Sequence, residues 1–287
     1  MTGEIDRLHP EAAVLSGPRP KPRAPRGRGR VAVSWIVLIA SVAYFLLPLL
    51  GTLIFSLRDR PWYQAYSDTL ADAQLYRAFG FSLVIAVITV ILSVVLLVPT
   101  AYWVRLRLPR LRPFVEFVTL LPFVIPPIVL VYGLLTTFNA PPLPLTTSDL
   151  GANVLLVCAY VVLSFPYMYR AIDTGLRVID IRTLTEASQS LGAGWLTIMW
   201  RVILPNLRVA ILSGAFLTLA IVVGEFTIAN FLARPMFAVY LQLISGNLAY
   251  EPAAVALFSF AITWASMGVI ALIGRGSGRR VEITGAH

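Results

Sequence analysis

Six long apolar runs constrain this chain more than any other feature. They cover residues 31–57, 78–104, 117–138, 152–169, 209–233 and 253–274. Crossing about 30 Å of hydrocarbon takes about 20 apolar residues in a helix. Each run meets that length, with 152–169 near the short limit. The third begins near Pro113, which brings in Glu116, and the fifth contains Glu225. Backbone groups in lipid must be paired internally, so the runs are read as helices. Alternating barrel strands of about ten residues do not match them. The chain is 58% apolar and 13% charged, against about 25% charged in soluble domains. A soluble enzyme, a nucleic-acid-binding domain and a disulfide scaffold are therefore excluded.

The net charge of +9 does not point to nucleic acid, because the basic residues sit between the apolar runs. Nineteen of the 23 fall in the N-terminal tail, the second and fourth loops and the C-terminal tail. Only Arg58, Arg60, Arg77 and Arg234 lie on the other side. Basic loops stay in the cytoplasm. The expected topology is an all-α protein of six transmembrane helices in the plasma (inner) membrane, with both termini cytoplasmic. The first run, 31–57, is too long for the core of a signal peptide and is expected to remain as an anchor. Residues 1–30 read as a disordered basic tail, since 17–30 is almost wholly Pro, Arg, Gly and Lys. Residues 275–287 read as a second cytoplasmic tail.

Scarcity excludes further chemistry. The two histidines, His9 and His287, lie at the chain ends. Haem ligation, zinc hydrolysis and Ser–His proteolysis at membrane depth have no histidine to use. No metal or cofactor is expected, and a membrane enzyme would need clustered catalytic groups that the spans do not carry. The single cysteine, Cys158, reads as a small core residue.

The fourth loop, 170–208, is much longer than a connector requires. Thr183-Leu-Thr-Glu186 reads as a capping box, with Thr183 as the cap and Glu186 reaching back. Gly192-Ala-Gly194 then breaks that helix. A second helix is expected over 195–203, with Trp195, Ile198, Met199 and Val202 near one face and Pro205 setting its limit. Such a pair either rests on the lipid surface or docks on a cytoplasmic partner.

The residues of this loop carry a resemblance. Glu186-Ala-Ser-Gln-Ser-Leu-Gly192, nine residues, then Val202-Ile-Leu204-Pro205 resembles the EAA loop of ABC importer permeases. Ser188 stands for the third-position alanine and Val202 for isoleucine, with the spacing intact. Leu121-Pro-Phe-Val-Ile-Pro-Pro127 and Ser164-Phe-Pro-Tyr167 are similar to other stretches of these permeases. The likeness covers roughly 78–274, which is taken as the permease core. It implies a type I fold and a pore shared with a second permease, favoured as a heterodimer. It also implies a dimeric cytoplasmic ATPase and an extracytoplasmic solute-binding protein. Glu186, Ala187, Gly192, Leu204 and Pro205 become the ATPase-coupling residues within the loop 183–205. A Walker A loop needs a lysine. The sole lysine, Lys21, lies in the tail, so ATP hydrolysis belongs to another chain. The resemblance is strongest to spermidine/putrescine-type permeases, which implies a polyamine or a related solute such as 2-aminoethylphosphonate or iron(III). The competing reading is a secondary transporter or channel without an ATPase.

Glu225 is the one acid deep in a span. A carboxylate there costs about 2.5–3.5 kcal/mol and normally faces protein or a water-filled path. Two readings stand. Glu225 lines a substrate pathway with Phe226, Thr227 and Asn230, or it caps a helix break or bonds a neighbouring span. Gly224 beside it is expected to permit close helix approach. Glu116 is expected to pair with Arg112 or Arg105, and Pro122, Pro126 and Pro127 to bend the third span.

Overall fold

The computed structural model describes residues 28–277, so most of both tails lies outside the described residues. Their expected disorder and charge are not addressed by it. The chain divides into two compact units, one ending at Gly51 and one starting at Thr52. The first unit is most of helix α1 (Arg28–Ser56), which continues through Pro48 and exposes most of its described side chains.

The second unit holds the remaining helices. These are α2 (Gln64–Ala71), α3 (Ala73–Leu106), α4 (Arg112–Val124), α5 (Pro127–Phe138) and α6 (Asp149–Val178). Then follow α7 (Ile181–Ser190), α8 (Trp195–Ile198), α9 (Leu204–Gly224), α10 (Thr227–Phe231), α11 (Phe237–Asn247) and α12 (Glu251–Ser277). The starts are capped by local chemistry: Asp72 accepts from the Gln74 amide at α3, and Ser148 from the Gly151 amide at α6.

Four described helices are long and apolar enough to cross a membrane: Val33–Ser56, Ala73–Leu106, Asp149–Val178 and Trp195–Gly224. Pro109–Val124 and Pro127–Phe138 would make a fifth together, but they meet at 94°. The bend falls at Ile125–Pro126 and not at Pro122, which α4 absorbs. Two adjacent prolines remove two donors, and Pro126 forces Ile125 into extended backbone at ψ 115°. The sixth expected run lies within α12, where Glu251–Ile262 is a shorter apolar stretch. The expected short span 152–169 is part of a 30-residue helix.

Helix α6 is the centre of the unit and packs on α9, α3 and α4. One core gathers Ile85, Val131, Leu156, Tyr160, Val222 and Ile228 around it. A second core, toward the α6–α7 loop, gathers Leu97, Met168, Ile172, Leu176, Ile203 and Leu207. The buried hydroxyls of Ser93 and Ser164 bond at 2.6 Å and tie α3 to α6. Both α6 and α9 carry small residues four apart, Ala171/Gly175 and Ala210/Gly214, where they touch. Val84, Ile88, Ile91 and Val95 leave one face of α3 bare, as a helix in lipid does. Cys158 is exposed, not in the core as expected, because α6 turns that face outward.

Candidate functional site

The loop after α6 is ordered from its first residue. Asp180 is the cap of α7, accepting from the Thr183 amide at 3.2 Å and the Thr183 hydroxyl at 2.7 Å. These two bonds, the hydroxyl first, hold the Asp180 carboxyl below the usual carboxylate range. The expected capping box is thereby corrected: Thr183 lies inside the helix, and Glu186 faces Arg182 at 3.9 Å. The start moves upstream because Ile181 is buried in the second core, and Asp180 is the polar residue just before it. Thr185, also buried, meets the Tyr102 hydroxyl at 3.2 Å and ties α7 to α3.

Glu186 and Ala187 are exposed on the outer face of α7. Gly192 has φ +78°, a left-handed conformation that favours glycine and turns the chain away from α7. Beyond it the chain differs from expectation, because Pro205 does not end a helix. Trp195 to Gly224 runs as one helix of 30 residues. A widened π turn over Met199–Ile203 lets the Leu204 amide donate to the Met199 carbonyl. That extra residue accommodates the proline ring, which would otherwise meet the carbonyl four residues back. Of the four residues expected on one face, Ile198 and Met199 are buried, Val202 packs on the second core and Trp195 stays exposed. The outer surface instead shows Leu191, Leu196 and Trp200, exposed to 89%, 62% and 63%. Leu204 is half-buried and Pro205 exposed.

Near this loop lies a cluster that the sequence reading missed. Asp173 on α6 accepts from Arg105 of α3 at 3.3 Å, Arg112 of α4 at 3.2 Å and Arg177 of α6 at 2.7 Å. Arg112 also pairs with Glu116 at 2.8 Å, the partner expected for it. Arg177 at i+4 was a readable signal for Asp173, whereas Arg105 and Arg112 come from distant sequence. Two adjoining clefts open here. One, of about 250 Å³, is lined by Glu116, Thr119, Tyr169, Asp173 and Arg177. The other, of about 620 Å³, is lined mainly by apolar side chains of α4, α6 and α9, among them Phe123, Val209 and Leu217. They share Leu120, Pro166, Arg170 and Thr174.

At the far end of α9 the expected fifth span, 209–233, is interrupted. Glu225 takes extended backbone at ψ 120° and a new helix starts at Thr227. The Glu225 carboxylate accepts from the Ile228 amide at 3.0 Å, the Ala229 amide at 3.4 Å and the Tyr160 hydroxyl at 3.0 Å. It caps α10 and bonds α6 at once. Phe226 and Asn230 are exposed and Thr227 is half-buried. Gly224 meets nothing within 4 Å of where its Cβ would be. It does not serve a close helix approach, because the chain turns at this point. The other end of α10 closes with Ala233 at φ +52°, its amide donating to Asn230 and that of Arg234 to Ala229. The Arg234 guanidinium then reaches Asp149 at 2.7 Å at the start of α6.

Comparison with known proteins identifies the family. The profile of binding-protein-dependent transport system inner membrane components matches residues 97–282. The molybdenum transport system permease protein ModB of Azotobacter vinelandii is 32% identical over 156 residues, 52% of this chain and 69% of that protein. A probable molybdenum ABC transporter permease of Haloferax volcanii is 31% identical over 198 residues, 66% of this chain and 70% of that one. The putrescine transport system permease protein PotI of Escherichia coli is 26% identical over 210 residues, 70% of this chain and 74% of its own length. Among solved structures, a bacterial ABC transporter that imports the acidic polysaccharide alginate has a chain of the same fold. Its TM-score is 0.66 at 15% identity, over 88% of this chain and 98% of that one.

Proposed function

This chain belongs to the family of binding-protein-dependent transport system inner membrane components, as a permease subunit of an ABC importer; from that premise we propose that it crosses the membrane six times, with both termini cytoplasmic, and is driven through the loop 183–205 by a separate ATPase. The observation that carries the coupling assignment is the outer surface of that loop. Leu191, Leu196 and Trp200 stand exposed on the same loop as Glu186 and Ala187. A bare apolar patch on a structured loop calls for a partner, and the cleft of a dimeric ATPase is the partner the motif implies. Gly192 sets the turn that presents the patch. Leu204 and Pro205 join it to α9, so a push on the loop travels along one helix. The other partners are a second permease in a heterodimeric pore, an extracytoplasmic solute-binding protein and the lipid bilayer.

The solute lies within the range carried by the relatives, which are named for molybdenum, putrescine, iron, sulfate and spermidine. A polyamine, 2-aminoethylphosphonate or iron(III) remains within this proposal. Glu225 shapes the end of α9, with Phe226, Thr227 and Asn230 beside it on the path. The test is a pull-down of the tagged protein in mild detergent. A P-loop ATPase is expected to co-purify and to be lost with Gly192→Trp or Glu186→Lys, while the variants still insert. A chain that purifies alone yet transports in liposomes refutes the proposal.

A further inference from the structure

We infer that the cleft between α4, α6 and α9 receives an anion, with the Arg170 guanidinium as its contact, and that the solute carried is therefore anionic. This rests on the importer reading above and narrows its substrate class. The acid that a cation would need in the span is already committed. Three protein donors address the two oxygens of Glu225, which serve as the cap of α10. At the clefts the balance is opposite. Arg105, Arg112 and Arg177 pair with Asp173 and Glu116, the two acids lining the smaller cleft, and Arg170 stands outside those pairs. Both acids are paired: Asp173 takes three arginines and Glu116 takes Arg112. Arg170 is exposed, lines both clefts and has no ion pair or hydrogen bond among the described residues. The larger cleft thus has Arg170 as the one charged residue of its lining, a guanidinium with all its donors free among the described residues. The planar fork of donors suits an oxyanion.

The surroundings fit a small, hydrated anion passing through. Thr174 is on the rim of both clefts and Asn206 faces the larger one. Tyr167 and Ser213 add hydroxyls to the larger cleft, and the rest of its lining is apolar. Position adds a mechanism. Helix α6 leads into the coupling loop, and the helix continuous with α9 leads out of it. A movement of that loop therefore changes the spacing of the two walls around Arg170. Binding at Arg170 is then linked to the state of the ATPase by the same contacts that connect α6 and α9.

The test uses the permease–ATPase complex in phosphatidylcholine nanodiscs and an arginine-selective glyoxal reagent, with labelling read at each peptide by mass spectrometry. Molybdate or sulfate is expected to lower labelling of Arg170 several-fold. Putrescine is expected to leave it unchanged, and Arg182 on α7 serves as the exposed control. Labelling that neither oxyanion alters overturns the inference. Protection that appears only when phosphatidylglycerol is in the disc also overturns it, and gives the cleft to a lipid headgroup. In cells, Arg170→Gln should lower accumulation of the protecting oxyanion about tenfold, as loss of one charge-assisted contact implies, with the ATPase still co-purifying. Unchanged accumulation refutes the role of Arg170. Failure of any ATPase to co-purify would instead refute the importer reading, so the two failures are separable.

Discussion

The contact between α6 and α9 makes a prediction whose sign comes from the structure. A Cβ built on Gly175 would lie 2.5 Å from Ala210 Cβ and 2.9 Å from Leu207 Cδ2. Carbon atoms rest at about 3.5–4.0 Å, so Gly175→Ala must part the helices by roughly 1 Å. Overpacking of this kind costs about 1–3 kcal/mol. Against it stands the helix preference of alanine over glycine, about 1 kcal/mol. The net expectation is a loss of about 1 kcal/mol. Gly80 in α3 and Gly133 in α5 are the controls, because nothing lies within 4 Å of a Cβ at either. Gly80→Ala and Gly133→Ala should gain about 0.5–1 kcal/mol. The two kinds of variant thus differ by about 2 kcal/mol and should move the melting temperature in opposite directions, by about 2–4 °C per kcal/mol at this size. Thermal unfolding in one detergent, followed by fluorescence-detected size exclusion, measures this directly. If Gly175→Ala melts at or above Gly80→Ala, the α6–α9 contact is not close, and the link between coupling loop and cleft fails with it. The same variant should weaken stimulation of the ATPase by the binding protein, since both walls of the loop move.

Three further outcomes follow from single contacts. Glu225→Ala strips the cap of α10 and leaves the Tyr160 hydroxyl without its acceptor, at about 2 kcal/mol. Tyr160→Phe removes one of those bonds and should cost about half as much; equal melting of both variants and the parent chain would refute the cap. Ala233→Gly should raise the melting temperature, because a non-glycine residue at φ +52° carries about 1 kcal/mol of steric cost; a fall would mean that Arg234 depends on the alanine for its placement. Asp173→Asn should cost about 2–3 kcal/mol, since its side chain is 12% exposed and three guanidinium groups lose the negative charge they share. Arg177→Gln should cost less than about 1 kcal/mol, because that arginine is half-exposed. Similar losses for the two substitutions would refute Asp173 as the hub.

Much of the site was legible where the signal is local. The spacing from Glu186 to Pro205 marked the loop, Gly192 was placed at its turn, and Arg112 was one of the two partners expected for Glu116. The capping box failed because two residues three apart, Asp180 and Thr183, both suit a helix start. Burial of Ile181 decided between them. Pro205 failed as a stop because a single π turn absorbs what a proline removes, and no residue in the loop announces that turn. The break at Glu225 was readable only as one of two options, because the donors that settle its geometry include Tyr160, 65 residues away.

By itself, then, the sequence determined the apolar spans, the arginine asymmetry between loops and the motif that places the family. These depend on composition and on spacing along one helix, where neighbours in space are neighbours in sequence. The tertiary structure decided which charges are spent and which is free. Asp173 gathers arginines from three helices, Glu225 is held by donors from two, and Arg170 faces an open cleft with no ion pair among the described residues. Charge pairing is set by distance through space, and the helices that create those distances are brought together only when α3, α4, α6 and α9 pack.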